Sequence, residues 1–320
     1  MRKLLLFLLP CLIATHAFAQ QPWPNRPMRL VIPFAPGGGA DIAGRLIAQE
    51  LGEVLKQPML VENRTGAGGT LALDNVAKSP ADGYSIALGH LGGIAIAPAL
   101  FKTLPFDPMR DLVPVSLAVN GLSVLVVTPT LPVKTVADLI AHAKANPGKL
   151  AYGSAGTGTD THLAGELFSS MTGTTMTHIA YKGGAPAMLD LVAGRTQLSF
   201  SSVATAISYI QAGKLRAVAL TGTRRFEGLP GVPTIAESGV PGYEINNWYG
   251  LFVPTGTPQE IVTRLNAVTV KAVQNPDLRA RLTAAGLEPV WNTQSEFAAY
   301  VKSETAKWGK IVKESGATAN

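Results

Sequence analysis

Three consecutive glycines, Gly37, Gly38 and Gly39, sit where a short apolar run hands over to an amphipathic one, in PFAPGGGAD (33–41). Residues without a Cβ let backbone N–H groups come close to a ligand. The helix that follows offers unpaired N–H groups and a partial positive charge at its start, which together suit an anion. Phe34 and Pro36 flank the glycines, Ala40 follows them, and Asp41 stands where it would cap the helix. A carboxylate would repel an anion, so Asp41 is expected to act as the cap, with contact to a ligand ammonium group as the alternative. Two nucleotide readings fail here. The pattern G-x-G-x-x from Gly37 ends at Ile42 and not at Gly, and no Gly-Lys-Ser/Thr follows. Taken alone, the turn reads equally well as a tight strand-to-helix connection with no ligand.

The device recurs. GSAGTGTDTH (153–162) opens a second helix and sets the hydroxyls of Ser154, Thr157 and Thr159 beside Gly156. Some of these are caps and others are candidate ligand contacts. His162 opens that helix, where packing or capping suits it better than catalysis. KGGAP (182–186) makes a third turn, with Lys182 either a charge partner for an anion or a solvated surface lysine. Catalytic signatures are poor. His90, His142, His162 and His178 show no H-E-x-x-H spacing, no serine sits in G-x-S-x-G, and the single cysteine is Cys11. No catalytic residue, metal site or cofactor is therefore expected. The 27 basic residues exceed the 21 acidic ones without forming a Lys/Arg run, which argues against a nucleic-acid partner and mildly favours small anions.

These turns need elements to hold them. MRLVIPFA (28–35), PMLVENR (58–64) and YSIALGH (84–90) read as strands. Between them fall a helix from about 42 to 55, with Ile42, Leu46, Ile47 and Leu51 at helical spacing, the turn TGAGG (65–69), and a helix through LALDNVAKS (71–79). This βαβαβ opening predicts a parallel sheet covered by helices. A second unit follows: a strand at 149–155, a helix at 162–171, and strands at 177–181, 196–202 and 214–222. LVPVSLAVNGLSVLVV (112–127) is interrupted by Pro114, Asn120 and Gly121, so it reads as buried strands and not as a membrane span. The runs 122–129 and 246–258 have no helical period and read as extended crossings between two lobes. Helices at 258–274 and 293–316 close the chain, the latter opening with a Thr293 to Glu296 capping box. About 300 residues exceeds a comfortable single core, which also favours two lobes. The expectation is lobe one from 22–122 plus 245–320 and lobe two from 123–244, with the Gly-rich turns of both facing one cleft, because ligands in such sheets sit outside the strands' carboxyl ends.

The first residues address the chain. Arg2 and Lys3 precede the apolar run 4–14, and Ala17-Phe18-Ala19 closes it in the A-x-A pattern of a signal peptidase site. The run is too short to span a bilayer, and Leu9 and Pro10 are wrong neighbours for a lipid attached to Cys11. The expectation is a signal peptide over residues 1–19, a mature chain starting at Gln20, and a periplasmic location.

Five segments together carry a resemblance: PFAPGGGADIAGRLIAQEL (33–51), VENRTGAGG (61–69), YGSAGTGTDTHLAGELF (152–168), YKGGAPAMLDLVAG (181–194) and VPTIAESGVPGYEINNWYGLFVPTGTP (232–258). In this order, over nearly the whole mature chain, they resemble the tripartite tricarboxylate transporter receptors, the Bug or TctC-like proteins. The resemblance implies an α/β type II periplasmic-binding-protein fold, two lobes with a hinge and a ligand cleft between them. It implies a receptor, expected to be a monomer, that hands a small organic acid to the membrane components of a tripartite transporter. In that family the strand-to-helix turns of both lobes clasp a carboxylate largely through backbone amides and ordered water, which points here to 34–41 and 154–162. Thr65 departs from the Pro common at that place, and Gln197 from the Asp, so no particular solute follows. An amino-acid receptor of another transport or signalling system, and an exported hydrolase or isomerase with Asp41 or His162 as base, are the alternatives.

Overall fold

The computed structural model describes residues 23–315; the expected signal peptide lies outside them. The chain opens with β1 (Met28–Ile32), α1 (Gly39–Leu55), β2 (Met59–Asn63), α2 (Thr70–Ala77) and β3 (Ser85–His90). β1 pairs in parallel with β2 on one side and β3 on the other, as the alternation of strands and helices predicts. A π turn (Gly92–Ile96) and two single-turn helices, α3 (Ala97–Leu100) and α4 (Pro108–Asp111), lead into β4 (Leu112–Gly121) and β5 (Ser123–Val127). Then follow α5 (Val136–Ala145), β6 (Ala151–Ser154), α6 (Asp160–Thr172), β7 (Thr177–Ala180), α7 (Gly184–Val192), β8 (Leu198–Ser202), α8 (Val203–Gln211) and β9 (Arg216–Leu220). The last part is β10 (Asn247–Pro254), α9 (Gln259–Gln274), α10 (Pro276–Ala284), β11 (Leu287–Pro289) and α11 (Gln294–Ser315).

Two sheets result. One runs β11-β4-β10-β3-β1-β2 and the other β7-β6-β8-β5-β9. Each joins a parallel half to an antiparallel strand inserted from elsewhere in the chain: β10 beside β3 in the first, β5 beside β8 in the second. β3, β5 and β10 are buried along their whole length, which is why these runs are apolar with no alternation.

Most of the apolar stretch 112–127 is therefore two strands in two different sheets. β4 ends at Gly121 in the first sheet and β5 starts at Ser123 in the second, so the crossing is Leu122 alone. The return crossing ends at Asn246, just before β10. The sequence reading made the whole of 122–129 and 246–258 into crossings. In fact β5 and β10 are core strands; Leu122 alone separates β4 from β5, whereas residues 221–246 lie between β9 and β10.

Local signals explain most ends. α1 buries Ala43, Ile47, Ala48, Leu51 and Leu55 on one face and stops where Lys56 turns left-handed at φ 53°. A Cβ on Gly44 would overlap Ile32, so this glycine sets how closely α1 lies on β1. The capping box at Thr293 and Glu296 is present, with each side chain accepting the other's backbone N–H. A second box, Thr135 with Asp138, starts α5.

Candidate functional site

Asp41 is not the cap of α1. The helix begins earlier, at Gly39, with Gly38 as N-cap in extended conformation (φ −86°, ψ 170°) and no side-chain cap. Asp41 lies in the first turn and reaches back, its Oδ2 accepting from Gly37 N–H at 2.9 Å. Arg45 Nε donates to the same oxygen at 2.9 Å, and Asn63 Nδ2 donates to Oδ1 at 2.9 Å and to Phe34 O at 2.8 Å. Burial pushes this carboxyl up, but the bonds from Arg45, Gly37 and Asn63 outweigh it and hold Asp41 below the usual carboxylate range. Asp41 is thus a brace that ties the 34–37 turn to α1 and to the end of β2.

In the other lobe the turn 153–162 is knitted mainly to itself. Thr159 caps α6: its Oγ1 accepts from His162 N–H and donates to Gly156 O at 2.7 Å. Thr161 Oγ1 accepts from Ala155 N–H. Ser154 Oγ accepts from Gly156 N–H at 3.1 Å and lies 2.6 Å from His178 Nε2. His162 Nδ1 accepts from Gly158 N–H, and its ring stacks on that of His178 at 4.1 Å. Burial lowers both imidazoles to about 4, with the His162 charge adding to the effect on His178, so both are neutral near pH 7. Neither rival base is free for chemistry: Asp41 is ion-paired, and His162 is turned into its own helix start.

The lobes are in contact. Ala35 N–H donates across the gap to Lys182 O at 3.0 Å, and Gly39 N–H to Thr205 Oγ1 at 3.0 Å. The glycines permit this. A Cβ on Gly183 would come within 3.0 Å of Ala35 N, and one on Gly68 (φ 61°) would overlap the carbonyl oxygen of Thr157. A Cβ on Gly38 would meet only ordinary contacts, at 3.6 Å from the amide nitrogens of Gly184 and Ala185. So the turn 34–39 faces 182–185 most closely, while 66–69 faces 156–157.

Where these turns meet is a cavity of about 330 Å³. Of the residues singled out from sequence, Phe34, Gly156, Thr157 and Lys182 line it, and Lys182 is the charged side chain on its wall. Pro36, Gly37, Gly38, Gly39, Ala40, Asp41, Ser154, Thr159 and His162 do not. Ala40, Asp41, Ser154 and Thr159 are buried in the turns that support the wall. Gly66, Gly68 and Gly69 also line the cavity, from the TGAGG turn that the sequence shows as Gly-rich without marking it as a ligand contact, and so do Phe101 and Tyr181, which carry no sequence signal. Gln197 lies away from the cavity: its Oε1 accepts from Ala151 N–H at 2.9 Å and holds the start of β6.

The family model for the tripartite tricarboxylate transporter family receptor, TctC, matches residues 43–317. The chain belongs to this family. It is similar to Protein BugT of Bordetella pertussis, 36% identical over 296 residues, 92% of this chain and 91% of that one. It is 39% identical over 308 residues to a Pseudomonas protein from the tcbD-tcbE intergenic region, covering 96% of this chain and 91% of the relative. An R. palustris protein solved with adipate superposes with a TM-score of 0.90 at 39% identity, covering 92% of this chain and 99% of that one. The periplasmic binding protein BugD gives 0.90 at 32% identity, covering 93% and 100%. MatC from Rhodopseudomonas palustris, with bound malate, gives 0.86 at 32%, covering 91% and 100%. The expected two-sheet periplasmic-binding-protein fold is therefore the fold of this receptor. This is a family of solute-binding proteins and not of enzymes, which disposes of the hydrolase or isomerase alternative.

Proposed function

We propose that this receptor captures a small organic acid in the cavity where its four Gly-rich turns meet, and delivers it to the membrane components of a tripartite transporter. The observation that carries the reading is the wall of that cavity, built from Gly66–Gly69 and Ala155–Thr157 backbone with Lys182 as its cation. Backbone near glycine can approach a carboxylate closely, and each hydrogen bond to a charged acceptor contributes about 1.5–3 kcal/mol. Relatives of the same fold hold adipate and malate. The solute-holding residues in this reading are Phe34, Gly156, Thr157 and Lys182. The turn residues 36–41 with Ser154, Thr159 and His162 shape the wall from behind.

The lobes we assign as 22–122 with 245–320, and 123–244, hinged at Leu122 and Asn246. Closure on ligand would then be a rotation about these two points. A ligand that binds only the native state adds about 2.7 kcal/mol at a hundredfold excess over its Kd. For a chain of this size that is on the order of 5–10 °C in Tm. A thermal-shift screen should find a few hits among mono-, di- and tricarboxylates and amino acids, with none among neutral sugars and nucleotides. A sugar as best hit would overturn the proposal. Residues 1–19 we assign as a cleaved signal peptide, and the intact mass of exported protein should start at Gln20.

A further inference from the structure

The cavity between the turns has one charged group and two unlike sides. Lys182 and Thr157 stand on the side of the second lobe, Phe34 and Phe101 on the side of the first. Among the described residues, no aspartate, glutamate, arginine or histidine lines it. Lys182 is exposed, and no carboxylate of the described residues forms an ion pair with it. The wall therefore carries a single positive charge that the chain itself does not neutralise. Tyr181 brings no free hydroxyl to it. That hydroxyl donates to Asp190 Oδ2 at 2.8 Å, and Asp190, which does not line the cavity, is paired with Arg195 at 2.6 Å.

Much of the backbone donor capacity around the cavity is already used. Ala155 N–H donates to Thr161 Oγ1 at 2.9 Å, and Gly156 N–H to Ser154 Oγ at 3.1 Å. Gly69 N–H donates to Gly66 O at 2.9 Å, and Tyr181 N–H to Ser154 O at 3.1 Å. Carbonyl oxygens crowd the same gap: that of Thr157 abuts Gly68, and that of Tyr181 lies 3.1 Å from where a Cβ on Gly156 would sit. On the opposite side the two rings are fixed. Phe34 is 6% exposed and meets His90 edge to face, with ring centroids 4.8 Å apart. Phe101 Cε2 lies 3.0 Å from where a Cβ on Gly158 would sit. A charge set against carbon and carbonyl oxygen, with no cation beside it, loses hydration that nothing replaces. Pockets with such walls hold an apolar body and orient it through a few polar groups.

We propose that the solute is a monocarboxylate with an apolar body, its carboxylate at Lys182 and Thr157 and its body against Phe34 and Phe101. The proposal rests on the carboxylate-receptor reading above and narrows the class of ligand. One anionic group matches one unpaired cation. A dicarboxylate of the same length sets its second charge against the two phenylalanine rings. An amino acid brings an ammonium group to a cavity whose wall has a lysine and no acid to receive it.

The test is calorimetric titration of the mature protein with pairs that differ by one added charged group: hexanoate and adipate, benzoate and terephthalate, 3-phenylpropanoate and phenylalanine. Ala67→Lys then adds a second cation on the first-lobe side of the cavity, at a residue that lines it and is exposed, so the core is untouched. Circular dichroism with the Tm of each protein checks the fold. The expected result is at least one pair whose plain monocarboxylate binds the wild type tenfold or more tightly than its partner, and no pair with the opposite order. In Ala67→Lys the preference for hexanoate over adipate, or for benzoate over terephthalate, should shrink at least fivefold. A wild type without a tenfold preference in any pair, or one that binds any partner with the added charge more tightly, overturns the inference and leaves the receptor reading intact. An unchanged ratio in a folded Ala67→Lys does the same. Binding of no acid of any kind overturns the receptor reading and this inference with it. If Ala67→Lys does not fold, Phe101→Ala decides by the same ratio, which should fall because only the apolar body loses a contact.

Discussion

Gly68→Ala separates the closed state from the fold. Gly68 sits on one lobe at φ 61° and ψ 21°, and a Cβ there would overlap the carbonyl oxygen of Thr157 on the other. Nothing else but the Thr157 carbonyl carbon, at 3.5 Å, lies near that position. Backbone cannot rotate away as a side chain can, so restoring ordinary contact requires the turns to part by about 1 Å. Overpacking of this kind costs typically about 1–3 kcal/mol, and here only the closed form meets it. Affinity for the best carboxylate should fall about 5- to 150-fold. The left-handed backbone adds about 1–2 kcal/mol in open and closed forms alike, lowering Tm by several degrees without bearing on affinity. Gly148→Ala isolates that second effect, because Gly148 has φ 72° with nothing within 4 Å of its would-be Cβ. Calorimetry should show weak binding for Gly68→Ala and wild-type binding for Gly148→Ala. X-ray scattering should show the first failing to compact fully with ligand. A folded Gly68→Ala that binds and compacts like the wild type would refute the argument that these turns meet on closure.

Three further outcomes follow from the same geometry. Asp41→Ala frees the Gly37 N–H, Arg45 and Asn63 at once, and should cost about 2–3 kcal/mol in a thermal melt, with weaker ligand binding as the 34–37 turn loosens. Because its folded pKa is lowered, Asp41 contributes stability that is present above the unfolded value near 4 and lost as pH falls through the folded value; the wild-type advantage over Asp41→Ala should shrink on acidification below about pH 4. Asp160 has the opposite sign: its folded value of about 7 lies above the unfolded one, so in ligand-free protein it costs stability as pH rises from about 4 to about 7, and Asp160→Asn should melt higher than wild type at pH 8 but not at pH 4. Lys182 is exposed on the cavity wall, so Lys182→Ala should weaken carboxylate binding only about two- to fivefold, an effect that fades in 0.5 M salt.

The strands and helices that feed the site were legible because each is an apolar run closed by glycine, and the parallel pairing of β1, β2 and β3 followed from their alternation with helices. The start of α1 was not. Asp41 has the residue type of a cap, but Gly38 carries that position with no side chain at all, and only the reach of Asp41 back to Gly37 shows its work. α5 was missed although its Thr135–Asp138 box has the same logic as the one that revealed α11. β5 was legible as a buried strand and β10 as an extended run, but an inserted antiparallel strand, buried on both faces, carries no alternation to say which sheet it joins. The cavity wall was half legible: glycine runs announce turns, but which turn faces which depends on how the lobes meet across the seam.

The most direct measurement is native mass spectrometry of the receptor taken fresh from exported material and again after incubation with the carboxylate and amino-acid panel. The account predicts a single adduct per chain whose mass is that of an intact organic acid, released unchanged on denaturation and lost in Gly68→Ala. An adduct with the mass of a neutral sugar, a ligand released as a reaction product, or no carboxylate adduct from the whole panel would contradict it.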